Sequence, residues 1–97
     1  MKDFYTYILQ SSKDSSFYIG CTNDLIRRVS EHNAGMSKYT SKKIPWRLAY
    51  FEKFASLADA RKRESFLKKQ KNTSFYKRLI SEFDSSQLVI PSTRDDC

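Results

Sequence analysis

Phe4-Tyr5-Thr6-Tyr7-Ile8-Leu9 and Phe17-Tyr18-Ile19-Gly20-Cys21 decide how this chain folds, and the polar stretch Gln10 to Ser16 separates them. Both runs are rich in aromatic and β-branched side chains, which suit a pleated, half-buried surface. The segment between them carries Ser11, Ser12, Asp14, Ser15 and Ser16, a turn-forming composition. Two strand-like runs around such a loop predict an antiparallel hairpin. Side chains of one parity share a sheet face, so Tyr5 and Tyr7 stand together, as do Tyr18 and Gly20.

Downstream of the hairpin the periodicity changes. Thr22-Asn23-Asp24 is a helix N-cap cluster, and Leu25, Val29 and His32 follow at helical spacing with Ile26 beside them. Asn33-Ala34-Gly35 ends that helix, glycine being suited to the position after a helix C-cap. Gly35 to Pro45 reads as a basic loop, and Trp46 to Phe54 as a third strand with Leu48, Tyr50 and Phe54. Ser56, followed three residues later by Asp59, caps a helix expected from Leu57 to about Lys71. Thr73 or Ser74 caps a last helix, Phe75 to Phe83. The order strand, strand, helix, strand, helix, helix predicts an α+β fold, a small three-stranded antiparallel sheet flanked by helices.

Length and charge bound the rest. The 97 residues accommodate one domain, here placed at residues 1 to 83. Residues 84 to 97 read as an acidic tail, loosely held, in which Leu88 to Ile90 have the option of packing back or of adding a short strand. The net charge of +7 is uneven: residues 82 to 97 hold four carboxylates against Arg94, a net of −3, which leaves +10 on residues 1 to 81. A surplus of that size on so small a body favours a polyanionic partner. Cys21 and Cys97 offer no zinc-ligand spacing and no disulfide framework. No signal-peptide pattern and no stretch of membrane-spanning length is visible, so the chain is expected to be soluble and cytoplasmic.

One carboxylate falls where an apolar residue belongs. Leu57, Ala60, Glu64 and Leu67 are spaced by 3, 4 and 3, one stripe of an amphipathic helix, and the remaining faces carry Arg61, Lys62, Arg63, Lys68, Lys69 and Lys71. A glutamate on a core-facing stripe costs free energy unless it is paired or holds a metal. Periodicity alone leaves two readings: a salt bridge to a neighbouring cation at the domain edge, or a ligand for a divalent ion that keeps most of its waters.

Tyr5-Thr6-Tyr7, ten intervening residues, then Tyr18-Ile19-Gly20, resembles the paired signature of the GIY-YIG nuclease superfamily. The resemblance runs in register through Asn23 to Arg28, His32, Gly35 and Lys38-Tyr39-Thr40, and on to the helix around Glu64, covering roughly residues 4 to 80. It is similar above all to the small stand-alone bacterial branch, whose members are excinuclease-like. Tyr5 and Thr6 stand where the first triplet of the signature has Gly and Ile, and Cys21 replaces larger or polar residues. A C-terminal asparagine used by some homing enzymes has no counterpart.

The resemblance implies hydrolysis of DNA phosphodiester bonds with one divalent cation, Mg²⁺ or Mn²⁺, bound by Glu64. It selects Arg28 rather than Arg27 as the phosphate-binding arginine, with Tyr7 and Tyr18 around the attacking water and His32 as proton shuttle or anchor. Tyrosine is an awkward base, ionised to only ~0.1% at neutral pH. Either nearby cations lower its pKa or its proton leaves through another group. Gly20 reads as a site of close backbone approach or of a bulge rather than of chemistry. Lys38, Lys42, Lys43, Arg61, Lys62 and Lys68 are candidate phosphate contacts. Tyr39 reads equally as core, stacking platform or cleft lining. DNA, branched or damaged, is the expected partner ahead of RNA, with no membrane; a targeting protein and the oligomeric state stay open. The competing reading is a DNA- or RNA-binding module that uses the same basic face without turnover.

Overall fold

The structure, a computed structural model, describes residues 3–89, with side chains through Phe83. The expected order is present: β1 (Phe4–Ser11), β2 (Phe17–Thr22), α1 (Leu25–Asn33), β3 (Trp46–Phe54), α2 (Leu57–Gln70) and α3 (Thr73–Val89), with a 3₁₀ turn at Ser41–Lys43 in the basic loop. The sheet is antiparallel in the order β2-β1-β3, so β1 is central and β2 is an edge.

Local chemistry accounts for the helix boundaries. Asp24 caps α1 by accepting from Arg27 N–H at 3.1 Å. At the other end Gly35 takes φ +80°, its N–H bonds the His32 carbonyl, and Met36 N–H bonds the Glu31 carbonyl. These two bonds form a Schellman motif, which needs a residue free to adopt the left-handed region. Ser56 Oγ accepts from Asp59 N–H at 3.1 Å to start α2. For α3 the cap is Asn72, one residue before the expected position, with Oδ1 accepting from Ser74 and Phe75 N–H. The last helix does not stop at Phe83 but continues to Val89, so Leu88 and Val89 lie in the helix rather than in a strand. No Gly or Pro occurs between Thr73 and Val89 to break it. Residues 90–97 of the expected tail lie outside the described residues.

Two apolar layers fill the sheet faces. On one, Ile8, Ile19 and Ala49 pack with Leu67 of α2 and with Tyr76 and Ile80 of α3. On the other, Tyr7, Leu9 and Trp46 pack with Leu25 and Val29 of α1. A bulge in β3 distributes its side chains: Ile8 pairs with Tyr50 but Leu9 with Leu48, leaving Ala49 as the extra residue. Leu48 and Tyr50 therefore join opposite layers although they share parity. Ile26, grouped with the apolar side of α1 by its sequence neighbours, is 84% exposed. The helix turns Leu25, Val29 and His32 inward and leaves Ile26 behind.

Candidate active site

Tyr7 is the centre of the site. It projects from the central strand into the α1 layer and is 1% exposed. Its direct cross-strand partner is Gly20, and a Cβ on that glycine would lie 2.4 Å from the Tyr7 hydroxyl oxygen and 2.6 Å from Cζ. Gly20 is thus required by the ring lying across its backbone, as the close-approach reading expects.

The hydroxyl of Tyr7 meets His32 Nε2 at 3.1 Å. Arg28 stands one turn before His32 on α1 and is close enough for its charge to act on the same hydroxyl. Arg28 Nη1 donates to Glu31 Oε1 at 2.9 Å, and this bond, with Tyr7, raises the guanidinium pKa further. Tyr18, half-buried on β2, sets its ring 5.0 Å from the imidazole at 61° and 6.3 Å from Trp46. The sheet thereby supplies the two tyrosines and α1 supplies the arginine and the histidine.

Electrostatics settles how Tyr7 behaves. Burial pushes its pKa up to about 12, opposed by the Arg28 guanidinium and reinforced by Tyr18 and Glu64. The expectation that nearby cations lower this pKa is not met, because removal from water outweighs Arg28. The alternative route, a second group that takes the proton, is present in His32. Burial, with Arg28, lowers the imidazole pKa below its ordinary value, so the ring is neutral at neutral pH. Its Nδ1 lies 2.8 Å from Thr40 Oγ1, and that hydroxyl donates to the Ser37 carbonyl at 3.4 Å. Thr40 therefore accepts from Nδ1–H and leaves Nε2 to accept the Tyr7 O–H.

Thr40 is a residue that the sequence reading missed. It is fully buried, and its carbonyl accepts from Trp46 Nε1 at 2.8 Å. Asn33 brackets the same tryptophan, donating to its carbonyl at 2.9 Å and accepting its N–H at 2.6 Å. Nothing local in a Lys-Tyr-Thr-Ser loop marks a threonine as the partner of a histidine eight positions back.

Glu64 sits on the inward stripe of α2, flanked by the fully buried Ala60 and Leu67. Its side chain is 22% exposed and accepts from Lys68 Nζ at 3.0 Å. Its charge raises the pKa of Tyr7 on one sheet face, and adds to burial in raising that of Cys21 on the other. The carboxylate therefore lies by the β2 edge at Gly20–Cys21. The salt bridge foreseen at the domain edge exists, with an exposed lysine that a stronger cation can displace. Among the described residues no group of three or more His, Cys, Asp or Glu forms a metal cage. A lone, partly open carboxylate suits an ion that retains waters and takes its other ligands from phosphate.

The basic residues fall into the two layers around the sheet. Lys38, Tyr39, Lys42 and Lys43 belong to the loop that closes on Trp46. Tyr39 is 87% exposed, which excludes the core reading. Lys43 pairs with Asp14 at 3.2 Å. Arg61, Lys62 and Lys68 project from α2, exposed. Among the described residues no helix is long and apolar enough to cross a membrane.

Comparison with known proteins agrees with this geometry. The sequence pattern of the GIY-YIG catalytic domain matches residues 3–78. A UPF0213 protein of Listeria monocytogenes is 43% identical over 77 residues, 76% of this chain and 85% of that protein. One from Clostridium perfringens is 46% identical over 66 residues, 67% and 70% of the two chains. The solution NMR structure of a UPF0213 protein from Bacillus halodurans superposes with a TM-score of 0.51 at 34% identity, covering 81% of this chain and 83% of that one.

Proposed function

Because this chain belongs to the GIY-YIG catalytic-domain family, a family of nucleases, we propose that it is a metal-dependent endonuclease that hydrolyses DNA phosphodiester bonds. The observation that carries the reading is the Tyr7 hydroxyl held against His32 Nε2, with the Arg28 guanidinium and the Glu64 carboxylate both near enough to act on its pKa. A core tyrosine needs one hydrogen-bond partner; it does not need an arginine, a histidine and a nearby carboxylate together.

With a pKa of about 12, Tyr7 is ionised at neutral pH only to the order of 10⁻⁵, so it does not act as a free phenolate. Instead Tyr7 accepts a proton from the attacking water while passing its own to His32 Nε2. The new bond joins the water oxygen to phosphorus, and the bond from phosphorus to the leaving oxygen breaks. Arg28 donates to the non-bridging phosphate oxygens, where a permanently charged planar fork fits. Its link to Glu31 keeps the fork aimed without consuming all five N–H groups. Tyr18 packs against the imidazole from one side, and in this reading its hydroxyl positions the water or the phosphate. A Mg²⁺ or Mn²⁺ ion bound through Glu64 would supply Lewis-acid charge for the leaving oxygen. Lys38, Lys42, Lys43, Arg61, Lys62 and Lys68 position the phosphate backbone without reading bases, and Tyr39 offers a ring to the DNA. In this reading residues 1–83 are the catalytic unit, residues 84–97 are an appendage, and the protein works on cytoplasmic DNA in repair or recombination.

The test is cleavage of duplex, single-stranded, flapped and branched DNA with Mg²⁺ or Mn²⁺, beside EDTA and Glu64→Ala controls. Cutting that needs the metal and disappears in Glu64→Ala, with DNA binding retained, is the expected result. Cutting that survives in Glu64→Ala removes the metal assignment. Binding without cutting on every substrate favours the non-catalytic binding module.

A further inference from the structure

The outer side of α2 carries a second feature that catalysis does not use. Phe66 is 46% exposed. Two residues from Glu64, it projects about 200° around the helix and so faces away from the β2 edge, roughly one helix diameter (about 10 Å) from the carboxylate. Its ring is held in place from behind. The Arg63 guanidinium lies 5.2 Å from the ring centroid and is itself anchored to Glu52 at 2.9 Å, while Phe75 of α3 packs edge-on at 6.2 Å. The open side of the ring lines a groove of about 440 Å³ with Ala58, Arg61, Lys62, Ser65 and Lys69. Arg61, Lys62 and Lys69 take part in no ion pair among the described residues, and no carboxylate lines the groove.

We propose that this face binds a single-stranded arm of the DNA substrate, with Phe66 stacking on an unpaired base and Arg61, Lys62 and Lys69 on the phosphates. The inference rests on the nuclease reading and names the substrate's shape. The combination is the one that single-strand binding demands: a cationic track with an aromatic platform set in it. A flush duplex keeps its bases stacked inside and offers phosphates alone, which leaves the ring unused. A second copy of this chain brings the same positive charge to the groove and is repelled. Lining residues 58 to 69 extend about 16 Å along the helix, enough to track several nucleotides. Duplex at the β2 edge and a free strand over α2 together describe a flapped or branched junction.

The experiment is equilibrium binding by fluorescence anisotropy in EDTA, where nothing is cut. A labelled duplex with a single-stranded flap is compared with the same duplex ended flush. The parent protein is expected to bind the flapped DNA about tenfold more tightly, and Phe66→Ala to weaken the flapped complex about fivefold or more while leaving the flush one unchanged. Lys69→Glu shifts the same ratio in the same direction and serves as a second variant should Phe66→Ala unfold. A flap-to-flush ratio of one in the parent, or a ratio unmoved by both variants, overturns the inference and leaves the nuclease reading standing. Failure to bind either DNA overturns both. A dimer in sedimentation that Phe66→Ala dissolves assigns the face to a second copy and also overturns it.

Discussion

Substituting Gly20 with alanine places a methyl group where the end of the Tyr7 ring now lies. The added carbon would sit 2.4 Å from the hydroxyl oxygen, 2.6 Å from Cζ and 3.1 Å from Cε1. An aromatic ring cannot fold away from such a contact. To restore van der Waals separation it must move by about 1 Å, and ordinary contact distances leave no smaller remedy. Tyr7 is 1% exposed, with His32 at 3.1 Å on its hydroxyl, so the movement is resisted on every side. Overpacking of this kind costs ~1–3 kcal/mol. For a domain of this size each kcal/mol lowers Tm by about 4–8 °C, so a fall of roughly 4–24 °C is expected. Turnover should fall on the order of 10²-fold, since the displaced hydroxyl leaves the line between water and His32. Gly35→Ala is the control. Its φ of +80° makes alanine strained, but the nearest atom to the new Cβ is Ile44 Cδ1 at 3.8 Å. That variant should lose ~1–2 kcal/mol of stability while keeping its turnover. Thermal unfolding followed by circular dichroism, with cleavage rates at saturating DNA, reads both. A Gly20→Ala protein that melts within about 1 °C of the parent and cuts at the parental rate refutes the reasoning.

Three further outcomes are expected. His32 is the chain's single histidine, so its ring nitrogens are assigned without ambiguity by ¹⁵N NMR. The Nδ1–H tautomer should dominate in the parent and be lost in Thr40→Val, with kcat falling more than KM changes and Thr40→Ser restoring both; a parent ring in the Nε2–H form contradicts the assigned network. Arg28→Ala should lower turnover by on the order of 10²-fold or more, as for the loss of other transition-state donors; unchanged single-turnover rates would remove the arginine from the mechanism. Burial depresses the His32 pKa below its unfolded value, so its neutral form contributes stability that is present above about pH 6.5 and is lost as pH falls from there through the folded pKa. Urea unfolding should therefore show the parent losing more stability on acidification through that window than His32→Gln does, and an equal or opposite slope argues against a buried neutral ring.

Much of the fold was written locally. The hairpin follows from two aromatic runs around a serine-rich loop, and the helix starts follow from Asp24 and Ser56, whose side chains cap the N–H groups three residues on. Where the sequence reading slipped, the competing choices were close in energy. Asn72, Thr73 and Ser74 are all good caps, and Asn72 takes the position. Asp84-Ser85-Ser86 is a poor helix former without being a breaker, so α3 runs on to Val89. The opposite orientations of Leu48 and Tyr50 were not legible, because a bulge is a property of two paired strands and not of one.

For the site, the division runs along the same line. Sequence by itself determined which residue types were available and that Glu64 broke an apolar stripe, since helical periodicity is a local property. It also determined that the two tyrosine-bearing runs form a hairpin, whereas the register that sets Gly20 opposite Tyr7 was fixed by the pairing of the strands. Only the tertiary structure decided what Tyr7 can do. Its pKa depends on the summed effects of burial, Arg28, Tyr18 and Glu64, contributed by two strands and two helices. The role of Thr40 likewise emerged only when the basic loop folded back onto His32. Desolvation and hydrogen-bond partnership are relations between segments distant in sequence, and folding is what brings those segments together.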